Sequence, residues 1–280
     1  VTPANSRQAA AIERFRKLHE AGCFVLPNPW DVGSAVYLAR CGFVALATTS
    51  AGFAFSRALP DDPNAIPRDV MLDHIADIAA ATALPVHADF QSGYADDPEG
   101  VAENVTLCVK TGAAGLSIED ATGRSDAPLY DDAAALARVE AARGAIDASG
   151  VPVALTARCE AWLVGASDPE RVALSRLAAF ADAGADCLFA PGVIEPATIA
   201  LLVKEIAPKP LNVLVSTMNR TLTVAQLRDL GVRRVSVGGA LARVAWGSFM
   251  RAARTIAQEG TFEAFGDAAP FDALNEMFKL

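Results

Sequence analysis

Histidine, tyrosine and tryptophan are scarce in this chain, three of each in 280 residues. The histidines, His19, His74 and His87, stand far apart, which excludes a histidine-rich metal motif. The five cysteines, Cys23, Cys41, Cys108, Cys159 and Cys187, are scattered, and none forms a C-x-x-C pair. Their odd number and their place in apolar runs argue against a disulfide framework and for reduced core thiols. Basic residues are in deficit: 24 Lys and Arg stand against 33 Asp and Glu, a net charge of −9 and a pI near 4.9. Such a chain repels phosphate backbones, so no nucleic-acid partner is expected. No apolar run approaches the ~20 residues of a membrane helix. The N-terminus lacks the basic start and apolar stretch of a signal peptide. A cytoplasmic soluble protein without a membrane partner is expected. The G-x-S-x-G, P-loop and Cys/His metal signatures are missing as well.

What is present is a rhythm. Hydrophobic residues make up 52% of the chain. Short apolar runs occur at 23–26, 43–48, 86–90, 115–118, 153–157, 187–190, 213–215 and 234–237. Between them lie longer amphipathic runs at 32–40, 68–81, 99–110, 132–148, 169–183, 195–206, 224–230 and 241–258. Several of these end at a glycine, as helices do: Gly42, Gly112, Gly150, Gly184 and Gly231. Strands alternating with helices imply a parallel sheet, and about eight such units imply a (β/α)₈ TIM barrel. An open doubly wound sheet is the alternative. Length alone suggests roughly two domains, but such barrels commonly run to about 250 residues as one. No linker or low-complexity tract divides the chain, so residues 1–280 are read as one barrel domain. It would carry an N-terminal helix over about 5–21 and a C-terminal packing segment over about 241–280. That last segment holds Phe262, Phe265, Phe271, Leu274, Met277 and Phe278, which is too apolar to hang free. It is expected to pack on the barrel or on a partner subunit.

In a parallel α/β fold the functional groups lie at the carboxyl ends of the strands. Strand alternation then selects a short list. In the third run Val86, Ala88 and Phe90 share one face, and His87, Asp89 and Gln91 the other. Ser117 and Glu119 point inward in the fourth, Thr156 and Arg158 in the fifth, and Asn212 and Ser216 in the seventh. His87 lies one step deeper than Asp89 and reads as a hydrogen-bonded core residue. Asp89, Glu119 and Arg158 would converge at one mouth. Oxygen ligands without His or Cys suit Mg²⁺ or Mn²⁺, and Arg158 suits a carboxylate. An internal salt-bridge network of the same three residues is the alternative reading. The 50–67 connection is long for a barrel loop, and suggests a lid or a surface excursion. Ser50, Ala51 and Gly52 offer a hydroxyl and backbone N–H groups for a carboxylate. Gly238-Gly239 is either a phosphate turn or a site of tight helix packing.

The ordered set Asn28-Pro29-Trp30-Asp31, Thr49-Ser50-Ala51-Gly52, Asp89-Phe90-Gln91-Ser92-Gly93-Tyr94, Ile118-Glu119-Asp120 and Ala157-Arg158-Cys159-Glu160 resembles the isocitrate lyase / phosphoenolpyruvate mutase superfamily. The resemblance implies a (β/α)₈ barrel whose last helix is swapped onto a neighbour, in a homodimer or homotetramer. It implies Mg²⁺ and a small 2-oxo or 2-hydroxy carboxylate, with chemistry through a pyruvate-like enolate. By this likeness Asp89 is the direct metal ligand, and Glu119 and Gln91 act through metal-bound waters. Ser50, Ala51 and Gly52 would hold the substrate carboxylate, and Arg158 would clamp it. Asp61 or Asp62 would be the acid of the gating loop, and Asn212 would lie at the distal end of the substrate. Trp30, Phe53, Phe55 and Trp162 are further candidates for the distal pocket, or ordinary packing residues.

Two departures narrow the reading. The superfamily pattern has an acid where Gln91 stands, so one negative charge is missing. The Lys-x-Cys-Gly-His stretch of isocitrate and methylisocitrate lyases is replaced by residues 121–128, Ala-Thr-Gly-Arg-Ser-Asp-Ala-Pro. The loop lysine and asparagine of the phosphonomutase branch are absent too. The expected function is a Mg²⁺-dependent carbon–carbon lyase or decarboxylase. The alternatives are a C–P bond enzyme and a 2-oxo acid binding protein with degenerate catalysis.

Overall fold

The computed structural model describes residues 6–63, 65–219 and 222–279. Helix α1 (Ser6–Glu20) precedes β1 (Phe24–Leu26), α2 (Val32–Arg40), β2 (Leu46–Ala47), α3 (Ser50–Ser56), α4 (Arg68–Ala81) and β3 (Val86–Asp89). Then come α5 (Pro98–Val109), β4 (Gly115–Glu119), α6 (Asp132–Ser149), β5 (Ala154–Arg158), α7 (Pro169–Asp182) and β6 (Cys187–Phe189). The chain continues through α8 (Pro196–Glu205), β7 (Leu211–Leu214), α9 (Val224–Asp229), β8 (Arg234–Ser236) and α10 (Ala240–Glu259). A 3₁₀ turn (Glu263–Asp267) leads to α11 (Phe271–Phe278). Asn5, the expected helix start, lies outside the described residues.

The eight strands form one parallel sheet in the order β1-β8-β7-β6-β5-β4-β3-β2. Pairing of β1 with β8, Val25 opposite Val235, curls the sheet round. Two bonds stitch the remaining gap between β1 and β2. The Ala47 N–H donates to the Pro27 carbonyl at 3.0 Å. Asn28 Nδ2 donates to the Thr48 carbonyl at 2.8 Å. The result is a nearly closed (β/α)₈ TIM barrel.

The sequence signals act where expected. Asp97 and Asp168 cap α5 and α7 through their carboxylates, each followed by a proline in the first turn. The five glycines after helices all adopt positive φ, between 67° and 94°. On β4 and β5 the outward residues Leu116, Ile118, Leu155 and Ala157 are buried against the helices. Their inward neighbours face the barrel axis. Helix α1 closes the amino-terminal end, with Phe15 packed against His87 and Phe24.

Three elements differ from expectation. The second strand is only Leu46–Ala47, and the seventh starts earlier, at Leu211. The long 50–67 connection opens with α3, whose first turn is capped by Thr49 Oγ1 accepting from the Gly52 N–H at 3.2 Å. At the other end α11 lies across α2, where Phe278 approaches Gly33. Helix α10 leaves Val244, Trp246, Phe249 and Met250 exposed, and Phe262, Phe265 and Phe271 beyond it are exposed too. No helix among the described residues is long and apolar enough to cross a membrane.

Candidate active site

Beta strands that alternate inward and outward deliver their polar residues to one cavity of about 270 Å³ at the carboxyl end of the barrel. Asp89 ends β3, Glu119 ends β4 and Arg158 ends β5; Glu119 stands opposite Arg158 in the register, and Asp89 opposite Ser117. Arg158 is the hub. Its Nη1 donates to Asp89 Oδ1 at 3.0 Å and stands 3.1 Å from Glu119 Oε2. Its Nε donates to Glu160 Oε1 at 2.9 Å. Its guanidinium lies 5.1 Å from the centre of the Phe189 ring, a cation–π contact.

The other side of Asp89 is held by the start of α3. The Ser50 N–H donates to Asp89 Oδ2 at 2.9 Å, and Ser50 Oγ donates to the same oxygen at 3.0 Å. The Asp89 N–H donates to Thr48 Oγ1 at 2.9 Å. Both carboxylate oxygens are therefore engaged, and the strand end is fixed from two directions. Glu160 is pinned through its backbone N–H, which donates to Asp120 Oδ1 at 2.8 Å. Asp120 is anchored in turn by Arg176 at 2.8 Å.

Gln91 sits in the turn after β3 with φ near 49°, a left-handed conformation unusual for this residue. Its carbonyl accepts from the Glu119 N–H at 3.1 Å, so the turn ties β3 to β4. Its side-chain Oε1 is buried in the cavity wall without a hydrogen-bond partner. An orphaned acceptor of this kind calls for a donor such as water.

Electrostatics follow burial. Desolvation pushes the Glu119 carboxyl up to about 8, against the pull of Arg158 and with the push of Glu160 and Asp89. Burial likewise raises Glu160, again opposed by Arg158. Burial works against the charge of Arg158, but Glu160, Glu119 and Asp89 outweigh it and raise its pKa. At the rim, partial desolvation and then the Asp89 charge raise the Asp61 carboxyl.

The cavity is lined by Ser50, Ala51, Asp61, Asp89, Gln91, Glu119, Arg158 and Asn212, which brings together most of the sequence candidates. Gly52 stands just behind the wall. A Cβ there would meet Thr49 Cγ2 at 2.7 Å and Trp30 Cβ at 2.9 Å, which explains the glycine. Asp62 is exposed on the loop and is not part of the lining. Trp30 faces a separate hollow with Trp246 and Phe249 of α10. Phe53 stacks on His74 at 3.6 Å between ring centres, and Phe55 faces α10. Trp162 packs against the core, and Leu163 and Phe189 form the apolar wall instead. Ser216 is outside the lining; Gly238 and Gly239 contribute to it. His87 is buried as expected, but its Nδ1 lacks the expected hydrogen bond. Glu160, which closes the Ala157-Arg158-Cys159-Glu160 motif but carried no expected role, and Arg234, which no motif includes, are cavity residues as well. Their signals were an acid two residues beyond Arg158, and a charge in the inward phase of an apolar strand.

With this geometry in hand, comparison with known proteins is decisive. The phosphoenolpyruvate phosphomutase family model matches residues 15–257. The chain belongs to that family. A crystal structure from Burkholderia cenocepacia J2315, described as a candidate lyase/mutase, is 48% identical with a TM-score of 0.94, covering 99% of this chain and 98% of that one. A 2-methylisocitrate lyase from Halalkalibacterium halodurans is 26% identical over 267 residues, 94% of this chain and 86% of the relative. The structure of an oxaloacetate acetylhydrolase in complex with its product oxalate is 25% identical with a TM-score of 0.85, covering 96% and 94% of the two chains. The superfamily is one of lyases and mutases, and this member is an enzyme of that kind.

A hard divalent cation fits the donors at the mouth. Three carboxylates gather round one arginine, and Gln91 Oε1 offers a spare acceptor for a water. Among the described residues no group of three or more His, Cys, Asp or Glu is arranged to hold a metal ion by itself.

Proposed function

We propose that the protein is a lyase that cleaves a C–C bond next to the oxo or hydroxy carbon of a small carboxylate, with Mg²⁺ or Mn²⁺ as cofactor. The observation that carries this reading is the Arg158 hub, shared by Asp89, Glu119 and Glu160 at a barrel mouth. Asp89 would hold the cation directly, with Glu119 and Gln91 reaching it through waters. When bound, the cation supplies positive charge beside the oxygen where negative charge develops.

The rest follows from the chain's own residues. Arg158 turns its guanidinium from the carboxylates to the substrate carboxylate and oxygen, a bidentate match. The Ala51 N–H at the start of α3 would hold the other end of that carboxylate. Ser50 keeps Asp89 aimed while this happens. Glu119, protonated at neutral pH, is a proton source buried within the site. Asp61 on the loop, with its raised pKa, is placed to take or return a proton at the mouth. Leu163, Phe189 and Pro63 narrow the access of water.

The test is a panel of 2-oxo and 2-hydroxy acids scored for pyruvate, glyoxylate or CO₂ release, with Mg²⁺ and with a chelator. Turnover should need the cation and vanish in Asp89→Ala. Full activity of Asp89→Ala would sink the reading.

The exposed apolar face of α10 supports a second proposal, that this helix is exchanged with a second copy in a homo-oligomer. Light scattering of the full chain should give a dimer or tetramer. Substituting Phe249 and Val244 by Asp should shift it toward monomer.

A further inference from the structure

The turn that follows β3, residues 91–94, is built against its backbone preference. Among the described residues three that are not glycine take positive φ: Ala58, Gln91 at 49° and Tyr94 at 58°. Gln91 and Tyr94 flank Ser92-Gly93, and Gly93 itself stands at 80°. A left-handed conformation crowds Cβ against the backbone, so two such residues in one turn persist only where their surroundings over-determine them. The strain falls on the segment that faces the cavity. Asp89 precedes it, the Gln91 side chain lines the wall, and the Gln91 carbonyl holds the Glu119 N–H.

Two buried side chains hold the turn. Arg138, on α6, is 1% exposed. Its Nη1 donates to the Ala95 carbonyl at 2.6 Å and to the Asp96 carbonyl at 2.7 Å, and its Nη2 donates to the Ser92 carbonyl. Asn104, on α5, is buried too. Its Nδ2 donates to the Gly93 carbonyl at 2.9 Å and to the Tyr94 carbonyl at 3.1 Å. Five consecutive carbonyls, 92 to 96, are thus gripped by two side chains from two helices. Each grip is itself aimed. Arg68 Nη1 donates to Asn104 Oδ1 at 2.9 Å, which turns the amide nitrogen toward the turn. The Arg138 guanidinium lies 4.0 Å from the centre of the Tyr130 ring, whose hydroxyl donates to Asp96 Oδ1 at 2.5 Å.

Packing of α5 on α6 does not require an arginine here. Burial works against the Arg138 charge and lowers its pKa, and its Nε is buried without a hydrogen-bond partner. An apolar side chain would fill the space at less cost. What only the planar fork supplies is a fixed spacing of donors for carbonyls three and four residues apart. Neither Arg138 nor Asn104 lines the cavity, so each acts on it through the turn.

This inference rests on the reading of the cavity given above and deepens it. We propose that Arg138 and Asn104 are positioning residues: together they clamp the 91–94 turn in its left-handed form, which keeps the Gln91 amide in the cavity wall and the Gln91 carbonyl on Glu119. Once released, Gln91 returns to negative φ, its amide leaves the wall, and the Glu119 N–H loses its acceptor.

The experiment is amide hydrogen exchange of the full chain, resolved at single residues by nuclear magnetic resonance, beside Mn²⁺ titration by electron paramagnetic resonance. In Arg138→Met, which keeps the stem and drops the donors, the Glu119 amide should exchange at least about tenfold faster. The Leu188 N–H, bonded to the Pro210 carbonyl at 2.9 Å two strands away on β6, should keep its rate. Mn²⁺ should bind about tenfold more weakly. In a Gln91→Ala background the same substitution should change Mn²⁺ affinity by less than about twofold, because the route through position 91 is already gone. Arg138→Lys, with three donors on a flexible stem, should restore part of both. Equal acceleration at Glu119 and Leu188 would make Arg138 a general support and overturn the inference. So would an unchanged rate at Glu119, or a loss of Mn²⁺ affinity that persists in full without Gln91. Exchange needs no cation, so the two readings fail separately: a wild-type chain that binds no Mn²⁺ sinks the metal reading, while the Glu119 amide still decides the clamp. Should Arg138→Met fail to fold, Asn104→Leu, which releases the Gly93 and Tyr94 carbonyls, is judged by the same two amides.

Discussion

Replacing Arg158 by methionine separates a substrate clamp from a mere internal ion network. The side chains of Asp89, Glu119 and Glu160 are only 18%, 10% and 6% exposed, and Arg158 is 15% exposed. Methionine keeps much of the stem volume and leaves three crowded carboxyls without their cation. Breaking a buried pair by removing one partner costs roughly 3–5 kcal/mol. The loss depends on pH, because Glu119 can shed its charge by keeping a proton. Its carboxyl sits near 8 even with Arg158 present, and rises further without it. At pH 6 the penalty should lie near the lower bound of that range, and at pH 9 near the upper. For a chain of this length about 2 °C of melting temperature corresponds to 1 kcal/mol. The expected drops are then roughly 6 °C at pH 6 and roughly 10 °C at pH 9, from the same relation.

The assay is calorimetric unfolding in chelator at both pH values, beside oxalate titration with Mg²⁺. A clamp predicts that Arg158→Met also weakens oxalate by about 100-fold, the loss of a charge-assisted bidentate contact. A melting temperature unchanged at both pH values would refute the account of how the carboxyls are held. Lowered stability with oxalate affinity unchanged would leave the hub as structural support alone.

Two further outcomes follow from the same site. Gln91→Glu restores a negative charge at the orphaned acceptor and should tighten Mn²⁺ binding on the order of tenfold, read by electron paramagnetic resonance titration; unchanged affinity would show that position 91 does not sense the cation. The Glu119 carboxyl is raised in the fold from 4.5 to about 8, so the folded chain keeps a proton that the unfolded chain releases. That contribution to stability is full below pH 4.5 and is lost as pH rises through 8. Cation binding at pH 7 should then expel up to about one proton, measured by calorimetry in buffers of different ionisation enthalpy, and heats that do not depend on the buffer would contradict the coupling.

Much of this architecture is written in periodicity. A strand has a period of two, so naming Leu116 and Ile118 as outward also names Ser117 and Glu119 as inward, and the barrel axis collects them. Glycines such as Gly150 mark helix ends because the backbone there must take positive φ. What periodicity cannot convey is where a side chain goes once it leaves a loop. Trp30 and Phe55 read equally well as pocket or packing residues, and they face α10 because Gly52 lets the α3 and Trp30 backbones close up. Helix α3 is seven residues long and depends on one threonine cap, too short for a periodic signal. Arg234 was hidden for another reason. A single arginine at the start of a strand resembles an exposed edge residue, and only closure of the barrel under α1 buries it beside His19.

The neutral residue at position 91 looks at first like a loss of the charge a metal site requires. The geometry argues that the loss is one of strength and not of sign. Gln91 keeps its place because its carbonyl holds the Glu119 N–H, whatever its side chain carries. Glu160, locked by Asp120 and Arg158, brings a third carboxylate to the mouth beside Asp89 and Glu119. Against the single charge of Arg158 these leave a formal excess of about two negative charges, the right sign and size for one divalent cation. At neutral pH the proton on Glu119 offsets one of them, and a cation bound there would displace it. On the proposed function, cation, proton and substrate carboxylate would compete for one set of groups. Arg158 would then be released toward substrate only when another positive charge took its place among the acids, which would couple cation binding to substrate binding through the arginine itself.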